Sequence, residues 1–364
     1  MKKFLTALTL LLIIALAGSI SAEIKLTGDA RLRPRLDIKD NGEYGNKTTD
    51  GYYYYRARLN LKSSLGDGWF GHVQLGTNGF AYWTGKFGDP SASDASKPSS
   101  SSVDGASRGT VDFMLIYFGR KTDKFGYWGG LIPVDGLNNP LLDVHYYSDK
   151  MIDVPFFEYS NNGAHGFGGY IGFNNGTKVN ATILVDNNEG IKTEDSDGET
   201  ISNTHDQYSV ILDVPLKLGE AIVQPVLIAT MADRGMDAPL TYGVNLTSPK
   251  VGQFKFSGTL AMSTQSAGGD AAEYDVWFVR AKADGKIGSG TLTAWVDLAS
   301  KDFDKIDVTH DFTYWWLAYT IPVYKSDNGS VSIKPTWRHV AEEVDGSKDY
   351  TRDKFELTID LKFM

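Results

Sequence analysis

Polar and apolar residues alternate along most of this chain. Between residues 24 and 38 one set of positions is apolar or small, and the other set is polar: Lys25, Thr27, Asp29, Arg31, Arg33, Arg35 and Asp37. The last segment repeats the pattern, because Phe355, Leu357, Ile359, Leu361 and Phe363 alternate with Glu356, Thr358, Asp360 and Lys362. Successive side chains of a β-strand point to opposite faces, so a period of two predicts strands. Each predicted strand has one apolar face and one polar face.

The connections between these segments come in two lengths. Short turns at residues 65–68, 174–176, 218–220 and 326–329 contain glycine, mostly beside asparagine or aspartate, which supplies the positive φ angles of tight hairpins. Long polar connections cover residues 39–50, 85–107, 187–204, 232–238, 266–271, 300–307 and 342–349. Short turns on one side and long loops on the other are typical of a transmembrane antiparallel β-barrel.

The pattern predicts an all-β barrel of about sixteen strands, with both termini on the same side. Residues 134–163 are irregular, and they predict a long third loop with a short strand around residues 156–160. If residues 141–147 and 152–160 are both wall strands, the count becomes eighteen. The two counts remain open at this point.

The first residues have the three parts of a secretory signal peptide. Lys2 and Lys3 are basic, residues 4–18 are almost wholly apolar, and small residues follow at Ser19, Ser21 and Ala22. The apolar run is shorter than the ~20 residues of a membrane-spanning helix, which disfavours a permanent anchor. We expect cleavage after Ala22, with cleavage after Ser21 as an alternative. Residues 1–22 are then the signal peptide, and residues 23–364 form a single barrel domain.

Composition and motifs exclude several functions. The chain has a formal net charge of −9, which argues against nucleic acid as a partner. It has no cysteine, so disulfides cannot brace the exported protein. The six histidines are scattered without metal-ligand spacing, and no Gly-x-Ser-x-Gly motif is present. We therefore expect no enzymatic activity and no cofactor.

Arginines on the first two predicted strands are the most informative polar residues. Arg31, Arg33 and Arg35 share one face of the first strand, and Arg56 and Arg58 share one face of the second. An ordinary up-down connection predicts that Arg33 and Arg35 lie opposite, or nearly opposite, Arg58 and Arg56. Like charges directly opposite each other destabilise a strand pair unless water, counter-ions or carboxylates screen them. A water-filled lumen would supply this screening, although a solvated face with local pairs to Asp29 or Asp37 is the alternative.

Two segments beside the third loop are apolar on both faces, at residues 111–118 and 127–134. A strand that is apolar on both faces is normally buried on both. We therefore expect the third loop to fold into the lumen and to cover Met114, Ile116 and Phe118. The alternative is that these strands contact a neighbouring subunit outside and lipid-like cargo inside.

Over nearly the whole mature chain, these features resemble the general-diffusion porins of Gram-negative bacteria. The resemblance implies a homotrimer in which the third loop narrows each channel and faces basic wall residues with its carboxylates. It gives the basic role to Arg31, Arg33, Arg35, Arg56 and Arg58, and the acidic role to some of Asp135, Asp143, Asp149 and Asp153. Two features depart from the family. The third loop lacks the Pro-Glu-Phe-Gly-Gly motif, and Met364 follows the aromatic residue that usually ends the chain.

The expected function is passive diffusion of ions and small hydrophilic solutes through a water-filled channel in the lipid of the outer membrane. A channel selective for oxyanions or sugars is an alternative. Selectivity for sugars would need a sugar track, a line of stacked aromatic side chains in the lumen, and Trp315 and Trp316 are candidates for it. A structural or adhesive barrel is another. The sequence alone does not decide between anion and cation preference.

Overall fold

The computed structural model describes residues 23–40, 47–77, 85–87, 111–133, 163–174, 176–194, 200–232, 238–265, 273–303 and 307–363. These residues form eighteen strands in one sheet. The strands are β1 (Glu23–Asp40), β2 (Thr48–Gly66), β3 (Trp69–Thr77), β4 (Gly85–Phe87), β5 (Val111–Lys121), β6 (Phe125–Ile132), β7 (Ala164–Gly172), β8 (Lys178–Glu194), β9 (Thr200–Asp213), β10 (Leu216–Leu218), β11 (Ala221–Ala232), β12 (Leu240–Val251), β13 (Phe254–Gln265), β14 (Tyr274–Ile287), β15 (Gly290–Phe303), β16 (Val308–Ser326), β17 (Gly329–Val344) and β18 (Ser347–Phe363).

The sheet closes on itself, because β18 pairs antiparallel with β1. Both β3 and β4 pair with β2, and both β9 and β10 pair with β11, so each of these pairs forms one interrupted wall strand. The wall therefore has sixteen strand positions, which confirms the lower predicted count. Strand β6 pairs directly with β7, so no further wall strand lies between them. The count of eighteen required two additional wall strands at this place. Residues 134–162 themselves lie outside the described part.

Two predicted loops are wrong, and the predicted loop of residues 85–107 starts too early, because Gly85–Phe87 pairs with β2 as strand β4. Residues 342–349 contain a tight turn, with positive φ angles at Asp345 and Gly346, and β17 and β18 continue up to it. Residues 187–204 are largely a hairpin, since β8 and β9 pair as far as Glu194 and Thr200. These segments are polar at most positions, so they show no alternation. The pattern therefore identifies the strands that cross an apolar layer but misses their extensions beyond it.

The outer face of the barrel is apolar. Outward residues such as Leu36, Phe355 and Leu361 are 42–47% exposed, whereas the inward-facing Asp37 and Glu356 are buried. A closed barrel satisfies every ladder hydrogen bond within the wall, so such a surface is suited to lipid. No helix in the described part of the chain is long and apolar enough to cross a membrane.

Residues 1–22 lie outside the described residues. The signal peptide, its cleavage site and the division into one leader and one barrel domain therefore stay predictions.

Candidate functional site

The alternation of β1 and β2 places all five predicted arginines on the inner face of the wall. Arg33, Arg35 and Arg56 are buried at 5–9% exposure, whereas the apolar side chains between them point outward. Arg31 and Arg58 are less buried, with side chains about one-fifth exposed. The five guanidiniums therefore line one part of the lumen, and their role at a constriction stays a prediction.

The predicted register of these arginines is wrong. Arg31 lies opposite Arg56, Asp29 lies opposite Arg58, and the partners of Arg33 and Arg35 are tyrosines. The strands β1 and β2 pair as far as Lys39 and Thr48, whereas Arg33 opposite Arg58 would need a connection centred about two residues further along the chain. The position of this connection sets the register and leaves one directly opposed arginine pair.

Asp29 holds the two arginines of β2. Its Oδ1 accepts from Arg56 Nη2 at 2.9 Å, and its Oδ2 accepts from Arg58 Nε at 2.9 Å. Arg31, on the other side, forms an ion pair with Asp360 of β18. Each member of the opposed Arg31–Arg56 pair thus has its own carboxylate, which offsets the repulsion between them.

Glu356 of β18 contacts three arginines. Its Oε1 accepts from Arg35 Nε at 2.7 Å and lies 3.4 Å from Arg33 Nη1, and its Oε2 lies 2.7 Å from Arg338 Nη2 on β17. The Glu356 side chain is 1% exposed, and the three arginine side chains are 6–9% exposed. Burial of this carboxylate requires such partners, since an unpaired buried charge is very costly.

Asp37 anchors the neighbouring end of the same surface. It accepts from Tyr52 Oη at 2.8 Å and from Arg352 Nε at 2.7 Å, and Tyr52 in turn accepts from Arg35 Nη1 at 3.0 Å. Hydrogen bonds to these fixed partners hold the guanidiniums of β1 and β18 in place.

We define the charged sector as a set of inward-facing residues on β17, β18, β1 and β2. It contains the inward-facing residues of β1 from Asp29 to Asp37 and the residues at the same level on the other three strands, as the strand register aligns them. It contains nine basic and five acidic residues. The basic residues are Arg31, Arg33, Arg35, Arg56, Arg58, Lys334, Arg338, Lys354 and Lys362, and the acidic residues are Asp29, Asp37, Asp50, Glu356 and Asp360. The described part of the sector therefore carries a net positive charge.

A ladder of planar groups adjoins this sector, and the sequence pointed to only one of its members, Trp316. Trp295 of β15 and Trp316 of β16 stack with ring centroids 4.4 Å apart and an interplanar angle of 10°. Arg338 lies 4.1 Å from the centroid of Trp316, and Arg280 of β14 lies 5.2 Å from that of Trp295. Cation–π contacts thus fix the two guanidiniums at the ends of the ladder.

Arg280 also forms an ion pair with the carboxylate directly opposite it on β15. It donates to Asp297 Oδ1 at 2.6 Å and to Asp297 Oδ2 at 2.8 Å, and Asp297 is fully buried. The period of two places Arg280 and Arg338 on inward faces, and this signal could have found them. They were missed because their inward neighbours include tryptophan and phenylalanine, which hide the polar face.

We define the apolar sector as the buried inward-facing apolar residues on β6–β16. It includes Ile132, Leu184, Ile211, Val226, Ile228, Ala261, Val276, Phe278 and Ala299. Hydroxyl pairs interrupt it, as between Ser209 and Thr230 at 2.9 Å. The interior of a wide barrel is normally polar, so this part of the wall is not an ordinary wetted lumen surface.

The prediction that Met114, Ile116 and Phe118 of β5 all face the lumen is wrong for two of the three. Met114 is 1% exposed, but Ile116 and Phe118 point outward at 42% and 68% exposure. The ladder between β3 and β5 is irregular where Gln74 pairs with Leu115, and this bulge changes which residues face inward. As a result Leu115 is buried beside Met114.

The acidic half of the predicted constriction falls on Asp135, Asp143, Asp149 and Asp153. All four lie outside the described residues, so their position opposite the arginines stays a prediction. Within the described ranges, no group of three or more histidines and carboxylates could hold a metal ion.

Several solved outer-membrane proteins have a similar fold. The anion-selective porin from Comamonas acidovorans is 15% identical with a TM-score of 0.57, over 94% of this chain and 100% of that one. OmpF of Salmonella typhi, in complex with daunomycin, is 10% identical with a TM-score of 0.57, over 93% and 97%. The outer membrane channel DcaP of Acinetobacter baumannii is 12% identical with a TM-score of 0.54, over 96% and 100%.

No protein-family model matches the chain, and no curated protein matches it. The shared property is therefore the architecture: this chain is a closed antiparallel transmembrane β-barrel with the fold of the outer-membrane porins. The predicted resemblance to porins is confirmed for the fold, and the lipid-facing barrel is of the outer-membrane type.

Proposed function

We propose that this chain is an outer-membrane porin through which ions and small hydrophilic solutes diffuse passively, with a preference for anions. The observation that carries the proposal is the charged sector, in which nine basic and five acidic residues lie side by side on four adjacent strands. Fixed charges of one sign in a confined aqueous path attract ions of the opposite sign. The mechanism needs no reaction and no cofactor.

Fixation of the arginines supports this preference. Arg33, Arg35 and Arg338 are bound to Glu356, and Arg56 is bound to Asp29, so these guanidiniums do not swing out of the lumen. Charges held at a low-dielectric wall are screened less than charges on an open surface. Their field therefore extends into the water-filled path.

A sugar track gains no support from the described rings. Trp316 lies between Trp295 and Arg338, at centroid distances of 4.4 Å and 4.1 Å, and both tryptophans are buried. A sugar needs an accessible ring face on which to stack. We therefore prefer charge, rather than aromatic stacking, as the basis of solute preference.

We also propose a homotrimer. One neighbour with the same fold is the trimer form of OmpT of Vibrio cholerae, which is 11% identical with a TM-score of 0.56, over 94% of this chain and 99% of that one. Sedimentation of the detergent-purified protein tests this assembly independently of conductance. A single sedimenting species with the mass of one chain would contradict the trimer.

Planar bilayers test the function. The purified protein should form pores with steady conductance, and the zero-current potential in a salt gradient should have the sign of anion preference. The preference should weaken as salt rises, because the Debye length falls from ~10 Å at 0.1 M to ~3 Å at 1 M. Absence of conductance from a correctly folded barrel, shown by its heat-dependent gel mobility, would contradict a diffusion channel.

A further inference from the structure

Glu356 differs from the other carboxylates of the charged sector in the number of guanidiniums that it contacts. It lies on β18 between β1 and β17, and it receives Arg33 and Arg35 from one side and Arg338 from the other. Asp29 receives two arginines, and Asp360 is paired with Arg31. The group around Glu356 contains three positive charges and one negative charge, a net charge of +2.

Burial increases the electrostatic effect of this carboxylate. Its side chain is 1% exposed, whereas the side chains of Asp360 and Arg31 are 13% and 22% exposed. Water and salt screen a partly exposed pair more strongly than a buried one. Removal of the charge of Glu356 should therefore change the field of the wall more than removal of the charge of Asp360.

We propose that Glu356 is a specificity-determining residue, and that its single charge limits how strongly the arginines of this wall favour anions. The inference rests on the proposed function, since it concerns the selectivity of the same wall. The carboxylate neutralises one of the three guanidiniums and orients all of them, so it sets both the size and the position of the positive field.

Charge neutralisation at this position tests the inference. Glu356→Gln keeps the shape of the side chain and removes its charge, and Asp360→Asn is the matched control on the same strand. In 0.1 M salt, Glu356→Gln should raise the anion-to-cation permeability ratio about threefold, the effect of one unit charge near the path. Asp360→Asn should raise it by less than half as much. A folded Glu356→Gln protein with an unchanged ratio, or with no more than the shift of the control, would overturn the proposal.

A second pair of variants covers the possibility that Glu356→Gln alone fails to fold. Arg338→Gln should shift the ratio towards cations, and Glu356→Gln combined with Arg338→Gln should return it close to that of the unmodified protein. Both variants lack Arg338, so the difference in permeability ratio between them measures the effect of the Glu356 charge when only Arg33 and Arg35 remain beside it. Equal ratios in both would overturn the proposal. Selectivity of the unmodified protein tests the proposed anion preference separately, because the Glu356 inference depends on differences between variants.

Discussion

The charged sector and the apolar sector lie in the same closed sheet and have the same inward orientation. They differ in what stabilises their buried side chains. In the charged sector, Glu356 is buried because three guanidiniums compensate it. In the apolar sector, Ile132 and Ile228 are fully buried without any need for a polar partner. A change of charge should therefore alter both stability and ion selectivity in the first, whereas a change of volume should alter only stability in the second.

The largest effect on stability is expected at the buried ion pair between Arg280 of β14 and Asp297 of β15, which lies on the strands of the apolar sector. Asp297→Asn leaves Arg280 buried without its carboxylate, which should cost about 3–5 kcal/mol of unfolding free energy. Urea titration of the barrel in detergent measures it. The control is Asp284→Asn, because Asp284 and Lys282 form a pair whose side chains are 38% and 34% exposed and should contribute no more than about 1 kcal/mol. Equal losses in the two variants would contradict the difference between buried and exposed pairs.

A smaller loss of stability, with no effect on ions, is expected in the apolar sector. Ile228→Val removes one methylene group from a fully buried side chain and should cost about 1 kcal/mol. The zero-current potential should stay unchanged, because no charge is altered. Leu240→Val, at an outward position that is 42% exposed, is the control and should cost less in the same urea titration. A shift of ion selectivity in Ile228→Val would mean that the two sectors are not independent.

The smallest effect is expected at Arg31, one of the less buried arginines of the charged sector. Arg31→Gln removes a guanidinium whose side chain is 22% exposed and which is paired with Asp360. Arg31 also lies opposite Arg56, so its removal relieves a repulsion between like charges that offsets part of the lost ion pair, and the urea midpoint should change little. The zero-current potential should shift slightly towards cations. A loss comparable to that of Asp297→Asn would show that Arg31 is held more tightly than its exposure indicates.

Much of the fold could be predicted from local patterning. Alternation identifies the strands that cross lipid, and it places Arg33 and Arg56 on the inner face because parity is a local property. Register is not local. The pairing of Arg31 with Arg56 depends on how the β1–β2 connection closes, and the bond between Arg31 and Asp360 joins residues 329 positions apart. No periodicity within one strand contains that information.

The inner wall was harder to predict than the outer face for a second reason. Lipid requires apolar side chains everywhere, so the outer pattern is regular. The inner face mixes Arg280 and Asp297 with Trp295 and Phe278, so it resembles a strand that is buried on both faces. Met114 adds a further difficulty, because a bulge in β5 alters the parity that the prediction used.

The central claim is that the fixed arginines of the charged sector determine anion preference, and one measurement tests it most directly. Arg33→Gln combined with Arg58→Gln removes two inward charges, while Lys217→Gln combined with Lys250→Gln removes two charges at exposed positions on β10 and β12. In 0.1 M salt, the first double variant should shift the zero-current potential towards cations, by about threefold in permeability ratio for each charge, and the shift should shrink in 1 M salt. The second double variant should leave the potential almost unchanged. An unaltered potential in the arginine variant at low salt, from a barrel that conducts and shows normal heat-dependent mobility, would contradict the claim.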